Sequence, residues 1–285
     1  MFKGISQSEI LRAVVATKKG KIGLTLVFFF IFMAIFADLL SPYNPFDRVG
    51  PPFAAPSTKH PLGLNDIGQD LLSELIHGAR VSLLVGFAAA SVRTLIGLLV
   101  GLMAGYFGGA LDDWTMRFVD VLLILPSLPL MILLAAYVGQ SIWNIILIIS
   151  LLGWPGLARL VRSQTLTLRE RPYVEAARSM GITNLSIVFT VIFPNMFPLV
   201  LANTVLDIMG AILSEAGLSF LGLGDPTHKS WGMMLYYAQQ RNAFFQHLWY
   251  WIAFPGLCIT LIGLGFALVG MTLDEVANPR LRRRV

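Results

Sequence analysis

Six runs of mostly apolar residues dominate the sequence, and a chain carrying them cannot hide all of them in a water-soluble core. They extend from Ile22 to Leu40, Val81 to Phe107, Phe118 to Val138, Ile142 to Leu157, Phe197 to Leu221 and Leu248 to Met271. Crossing the hydrocarbon of a bilayer takes roughly 20 such residues in helical form. Of 285 residues, 56% are hydrophobic and only 13% charged, which removes the alternative of an ordinary soluble domain. The expectation is an all-α integral membrane protein with six transmembrane helices. Lys18, Lys19 and Lys21 before the first run resemble the basic start of a signal peptide. That run is too long, however, and Asp38 and a Pro-rich loop follow it instead of a small-residue cleavage site.

The basic residues set the expected orientation. With the N-terminus inside, inner segments hold 15 Lys and Arg against 5 in the outer loops, and Arg93 lies within the second run. Basic residues concentrate on the cytoplasmic side, so both termini are expected there. The net charge of +5 is spread between apolar runs and forms no stripe interleaved with aromatics, which speaks against nucleic acid as a partner. The expected organisation is a cytoplasmic tail 1–21, a first span 22–40, an outer loop 41–80, a membrane core 81–272 containing a cytoplasmic loop 159–194, and a cytoplasmic tail 273–285. Ile10, Leu11, Val14 and Val15 form an apolar edge that predicts a short interfacial helix in the first tail. Pro126 and Pro129 interrupt the third run, while Gly153, Pro155 and Gly156 are expected to end the fourth. Broken helices at depth need a water cavity or neighbouring protein to take up the freed backbone groups, so these runs suit a pathway or kinked core packing.

The inner loop carries the most specific local pattern. Pro172 suits the first position of a helix, where its missing N–H is not needed. Tyr173, Ala176, Ala177 and Met180 recur at i, i+3, i+4 and i+7, drawing one apolar stripe. Gly181 suits the left-handed residue that closes a helix, and Asn184 is placed to cap a second helix bearing Leu185, Val188, Phe189 and Ile192 up to Pro194. A short helix, a glycine turn and a second helix on the cytoplasmic face form a candidate docking element. The competing possibility is a surface hairpin lying on lipid.

Glu175-Ala176-Ala177, Gly181 and then Pro194 after an apolar helix resemble the cytoplasmic signature of permease subunits in bacterial ABC importers. Two further stretches resemble the C-type permease of dipeptide, oligopeptide and nickel importers. One runs from His60-Pro61-Leu62-Gly63 through Asp70 to Ser82, and the other from Ile212-Leu213-Ser214-Glu215-Ala216-Gly217 to Trp231-Gly232. With the ending Asn278-Pro279-Arg280, the resemblance spans nearly the whole chain. It implies the type I importer permease fold in the bacterial inner membrane. It also implies a second homologous permease subunit, two ATP-binding subunits and an extracytoplasmic solute-binding protein as partners. In that family the first short helix sits in a groove of the ATPase subunit, which assigns coupling to Tyr173, Glu175, Ala176, Ala177, Met180 and Gly181. The outer loop departs from the family, which often has basic residues where Gln69 and Glu74 stand and an acidic one where Asn65 stands. A different binding protein or cargo is the expected consequence.

Arg93, Asp207 and Glu215 fall within apolar runs, where a charge costs roughly 2.5–3.5 kcal/mol on insertion scales. Each is expected to face protein or water, and Asp207 and Glu215, eight residues apart, can share one helix face. They are candidates for a translocation path, with Asp207 attracting a cationic group, or for buried polar contacts. No Gly-x₄-Gly-Lys-Ser/Thr, His-Glu-x-x-His or Gly-x-Ser-x-Gly run occurs, so no catalytic role and no cofactor are expected, and ATP is expected on separate subunits. His60, His77, His228 and His247 lack metal-ligand spacing, and Cys258 is expected to be a packed thiol. Two rival functions remain. A stand-alone secondary transporter should show internal repeats, of which none is seen, and an intramembrane enzyme using Asp207 and Glu215 leaves the docking loop unexplained. The resemblance implies di- or oligopeptides as cargo, with nickel or oligosaccharide as alternatives that the residues themselves do not exclude.

Overall fold

In the computed structural model, which describes residues 14–277, the described residues form helices and loops and no strand beyond one isolated bridge between Leu64 and Asp70. The expected interfacial helix around Ile10 and the C-terminal Asn278-Pro279-Arg280 lie mostly or wholly outside those residues. Helix α1 (Lys18–Ile35) starts where the Thr17 hydroxyl accepts a hydrogen bond from the Gly20 N–H, and it breaks at Phe36 before the short α2 (Ala37–Leu40). The outer loop then leads to α3 (Leu71–Phe107). This helix begins ten residues earlier than the apolar run, because the Asp70 carboxylate caps it by accepting from the Ser73 N–H at 2.9 Å. At about 1.5 Å per residue it is roughly 55 Å long and overshoots the hydrocarbon core.

The third run does not form one straight helix. It is divided between α4 (Gly109–Ile124) and α5 (Ser127–Val138), which meet at 87°. Pro126 is the hinge: it favours extended backbone at Leu125, whose ψ is 133°. The fourth run does the opposite of what its glycines and proline suggest. Helix α6 (Ile142–Arg169) passes through Pro155 without ending. It is held along α3 by close approach at three glycines, since a Cβ on Gly97 would lie 3.0 Å from Leu157, one on Gly101 2.5 Å from the Ala158 carbonyl and one on Gly105 2.7 Å from Thr165. Small residues spaced by four allow such contact between membrane helices, and tertiary packing overrides the local helix breaker.

After α7 (Pro172–Ser179), α8 (Asn184–Ser186) runs without a stop into α9 (Phe193–Leu218). Pro194 therefore does not end the second loop helix. A π-helical segment over Ile187–Ile192 widens the turn, the Phe193 N–H reaching back to the Val188 carbonyl, and the proline ring is accommodated at the start of the next α-helical stretch. A second π segment, Ser219–Leu223, closes this path. Helices α10 (Trp231–Gln240) and α11 (Trp249–Ala277) follow.

Among the described residues, four helical stretches are long and apolar enough to cross a membrane: 71–107, 142–169, 184–223 and 249–275. The bent α4–α5 pair makes a fifth if it is counted as one broken span. Phe28, Phe29, Phe32, Trp114, Phe118, Ile124, Leu133 and Tyr137 are exposed on their outer faces, a surface suited to lipid or another membrane subunit and not to water. Inside, α3 contributes to all three of the large apolar clusters. One joins it to α1, α9, α10 and α11, one to α5, α6 and α9, and one to the inner loop.

Candidate functional site

The inner loop is a defined hairpin. Arg171 precedes α7 with extended backbone, and Pro172 occupies the first helical position. At the far end the Gly181 N–H donates to the Arg178 carbonyl at 3.0 Å and the Ile182 N–H to the Ala177 carbonyl at 3.2 Å. Those two bonds, with Gly181 at φ +76°, satisfy orphan carbonyls and reverse the chain. The second helix is capped by Thr183, whose hydroxyl accepts from the Ser186 N–H, and not by Asn184.

The two faces of α7 differ sharply. Val174 and Ala177 are buried in a cluster with Leu102, Tyr106, Ile187 and Val188, whereas Tyr173, Glu175, Ala176 and Met180 are exposed, Met180 to 72%. Ala177, at 4% exposure, therefore belongs to the inward contact and not to the outward face of the helix. The apolar stripe read from spacing is turned slightly about the helix axis: it missed Val174, and Ala177 stands at its inner edge. Glu175 makes no side-chain hydrogen bond or ion pair among the described residues, and it lies in the first turn, where the helix dipole favours an anion. The outward surface thus presents an aromatic ring, a free carboxylate, a small residue and a thioether together. It lies in the segment that joins the two long helices α6 and α9.

The three charges at membrane depth do not share one surface. Arg93 on α3 is buried, with its Nε donating to the Ile149 carbonyl at 2.9 Å and its guanidinium lying against Gly153. It ties α3 to α6, a buried polar contact of the kind expected beside the path-lining reading. Gly153 is needed there because a side chain would occupy the guanidinium's space. Asp207 on α9 is half-buried and within electrostatic influence of Arg93, without a direct ion pair. Glu215, two turns further along α9, is buried elsewhere. It accepts from the Ser82 hydroxyl at 3.2 Å and from the Ser219 hydroxyl at 2.7 Å, tying α9 to α3. Its carboxylate is committed to protein contacts, so of the three only Asp207 keeps an accessible side.

At the outer end of α3, Asn65, Gln69 and Glu74 converge on Lys229. The Lys229 ammonium donates to Glu74 Oε1 at 2.6 Å and to Gln69 Oε1 at 2.7 Å, and Asn65 Nδ2 donates to the same two oxygens. Gln69 Nε2 in turn donates to the Phe46 carbonyl, whose own ring lies under Lys229. The three departures noted in the sequence therefore form one closed network with a fourth residue that sequence reasoning passed over. Only their distance along the chain concealed the partnership.

Residues 97–283 match the family model described as "Binding-protein-dependent transport system inner membrane component", and residues 9–56 match "N-terminal TM domain of oligopeptide transport permease C". The chain belongs to this inner-membrane transport permease family. Among its relatives are the dipeptide transport system permease protein DppC of Alkalihalophilus pseudofirmus, 36% identical over 96% of this chain and 90% of the relative. The di/tripeptide transport system permease protein DppC of Pseudomonas aeruginosa is 34% identical over 94% of this chain and 90% of the relative. The glutathione transport system permease protein GsiD of Pectobacterium atrosepticum is 35% identical over 96% and 90%. This permease component is a bacterial inner-membrane protein, and the helices that match the family model include α6, the α7–α8 hairpin, α9 and α11.

Proposed function

We propose that this chain is one permease subunit of an ATP-driven, binding-protein-dependent importer of di- or oligopeptides. It crosses the membrane six times with both termini in the cytoplasm. It pairs with a second, homologous permease, and two separate subunits bind and hydrolyse ATP. The observation that carries the reading is the hairpin at Pro172 to Ser186. Its short helix lies between two membrane-crossing segments, is rigidly closed by Gly181, and turns Tyr173, Glu175, Ala176 and Met180 away from its own chain. Such a surface fits a groove on a cytoplasmic ATPase subunit. Closure of the ATPase pair on ATP would push the hairpin, open the permease pair outward to receive cargo from the binding protein, and reset it on hydrolysis.

Asp207 is the candidate cargo contact, because a half-buried carboxylate at membrane depth is stable only facing protein charge or water and attracts a peptide amino terminus. Relatives that are dipeptide, di/tripeptide and glutathione transport permeases support peptide over nickel or oligosaccharide cargo. The test is the composition of the complex purified through a tag on this chain from cells expressing its genomic neighbours. One copy each of two permeases with two ATPase subunits is expected, and a transport-competent homodimer would end the proposal.

A further inference from the structure

We infer that Tyr106, at the inner end of α3, is the positioning residue that transmits movement of the docking hairpin into the membrane helices. The inference rests on the docking role proposed above and adds the route by which it acts.

Tyr106 is held at three points, and the three partners lie before, within and after the docking helix. Before it, Arg169 Nη1 at the end of α6 donates to the carbonyls of Gly105 and Tyr106 at 3.2 and 3.3 Å. These are last-turn carbonyls of α3 that have no N–H of their own helix to accept from. Within it, the Arg178 guanidinium lies 5.9 Å from the centroid of the Tyr106 ring. After it, the Tyr106 hydroxyl donates to Asn184 Oδ1 at 2.8 Å. The ring itself is buried in the cluster that holds Val174, Ala177, Ile187 and Val188. The side chain thus meets the hairpin on both sides of the Gly181 turn, through Arg178 and Asn184, while Arg169 holds the main chain at its base.

What Tyr106 receives, α3 can carry. Glycines 97, 101 and 105 bring α3 so close to α6 that the pair has no slack to absorb a push at one end. Further along, Arg93 ties α3 to α6 and Ser82 ties it to Glu215 on α9. At the outer end the Leu75 carbonyl accepts from Trp231 Nε1 at 2.9 Å, and Glu74 pairs with Lys229. A single helix therefore runs from the hairpin to the outer loops with polar ties at each level. A Tyr at its base, and not merely an apolar residue, is what gives the hairpin a directional grip.

The experiment uses the complete complex in vesicles, with Tyr106→Phe and Tyr106→Leu. ATPase subunit content, basal ATP hydrolysis and hydrolysis stimulated by binding protein with a dipeptide are measured for each. Both variants are expected to hold wild-type amounts of ATPase subunits and wild-type basal rates. Stimulation should fall about fivefold in Tyr106→Phe, which loses one hydrogen bond, and roughly tenfold or more in Tyr106→Leu, which also loses the ring under Arg178. Full stimulation in an assembled Tyr106→Leu complex overturns the inference while leaving the docking role standing. So does a Tyr106→Leu chain that loses its ATPase subunits while Tyr106→Phe couples normally, because the ring would then only support the hairpin. Absence of ATPase subunits from the wild-type complex would remove the docking role, and this inference with it.

Discussion

Replacement of Gly181 isolates backbone strain from every other effect. Its φ of +76° lies in the left-handed region, and a Cβ built there meets nothing within 4 Å. Any cost of a side chain at this position is therefore conformational and not steric. For Ala that cost is on the order of 1 kcal/mol, and for a β-branched residue about 2 kcal/mol, whereas Asn enters this region with much less penalty. The strain acts on the two bonds that close the hairpin, Gly181 N–H to Arg178 and Ile182 N–H to Ala177. A penalty of about 2 kcal/mol lowers the closed population relative to the open one roughly 25-fold, and the apparent affinity for a partner that needs the closed form weakens by as much as that factor. The assay is titration of purified ATPase subunits onto vesicles containing the permease pair, with Gly181→Asn, Gly181→Ala and Gly181→Val compared at equal membrane insertion. The expected order of affinity is wild type, then Asn, then Ala, with Val weakest. Wild-type affinity for Gly181→Val would refute the argument that this turn sets the docking geometry, and equal loss in Asn and Val would show that added bulk matters there instead.

The two neighbouring alanines should part company. Ala177→Asp places an unpaired charge in the inward cluster and should cost several kcal/mol in thermal stability of the purified chain, while the exposed Ala176→Asp should leave stability unchanged and weaken ATPase binding. Lys229→Met leaves the buried Glu74 carboxylate without its cation and should destabilise by about 3–5 kcal/mol in a thermal unfolding assay, with most of the loss recovered by adding Glu74→Gln. In the segment between α9 and α10, burial alone would raise the Asp225 carboxyl, but hydrogen bonds from the Thr227 hydroxyl and N–H and from the Ile142 N–H, with His228 nearby, hold it below its ordinary value of 3.8. A lowered folded-state value means that this contribution is present above the ordinary carboxylate range and is lost as pH falls through the lowered one. Wild type should therefore lose stability on acidification below about pH 4, and Asp225→Asn should show a shallower loss over the same window.

The sequence is most legible where local chemistry decides the structure. Pro172 and Gly181 mark the start and stop of α7 because proline fixes φ near the helical value and glycine accepts the positive φ that ends the helix, and no distant residue is needed to apply the rule. It is least legible where packing overrides propensity. Pro155 stays inside α6 because glycines on α3, 50 or more residues away in sequence, hold the helix together, while Pro126 breaks its run because α4 and α5 have no comparable support. Pro194 failed as a stop signal because a π-helical turn, which leaves no trace in apolar spacing, made room for its ring. The membrane-depth charges were legible as a set but not as individuals. Cost in lipid predicts that Arg93, Asp207 and Glu215 each find a partner or water, and only coordinates show that Ile149 and the serines at 82 and 219 occupy two of them.

The central claim is that this chain moves peptide only as part of an ATP-driven assembly served by a binding protein. Its most direct test is uptake of a labelled dipeptide into vesicles holding this chain, its partner permease and the ATPase subunits, with ATP supplied on the side of the docking hairpin and binding protein on the other. Uptake that needs ATP, binding protein and both permeases together is the predicted result. Equal uptake by vesicles containing this chain alone, without ATP, would contradict the account and make the protein a stand-alone transporter.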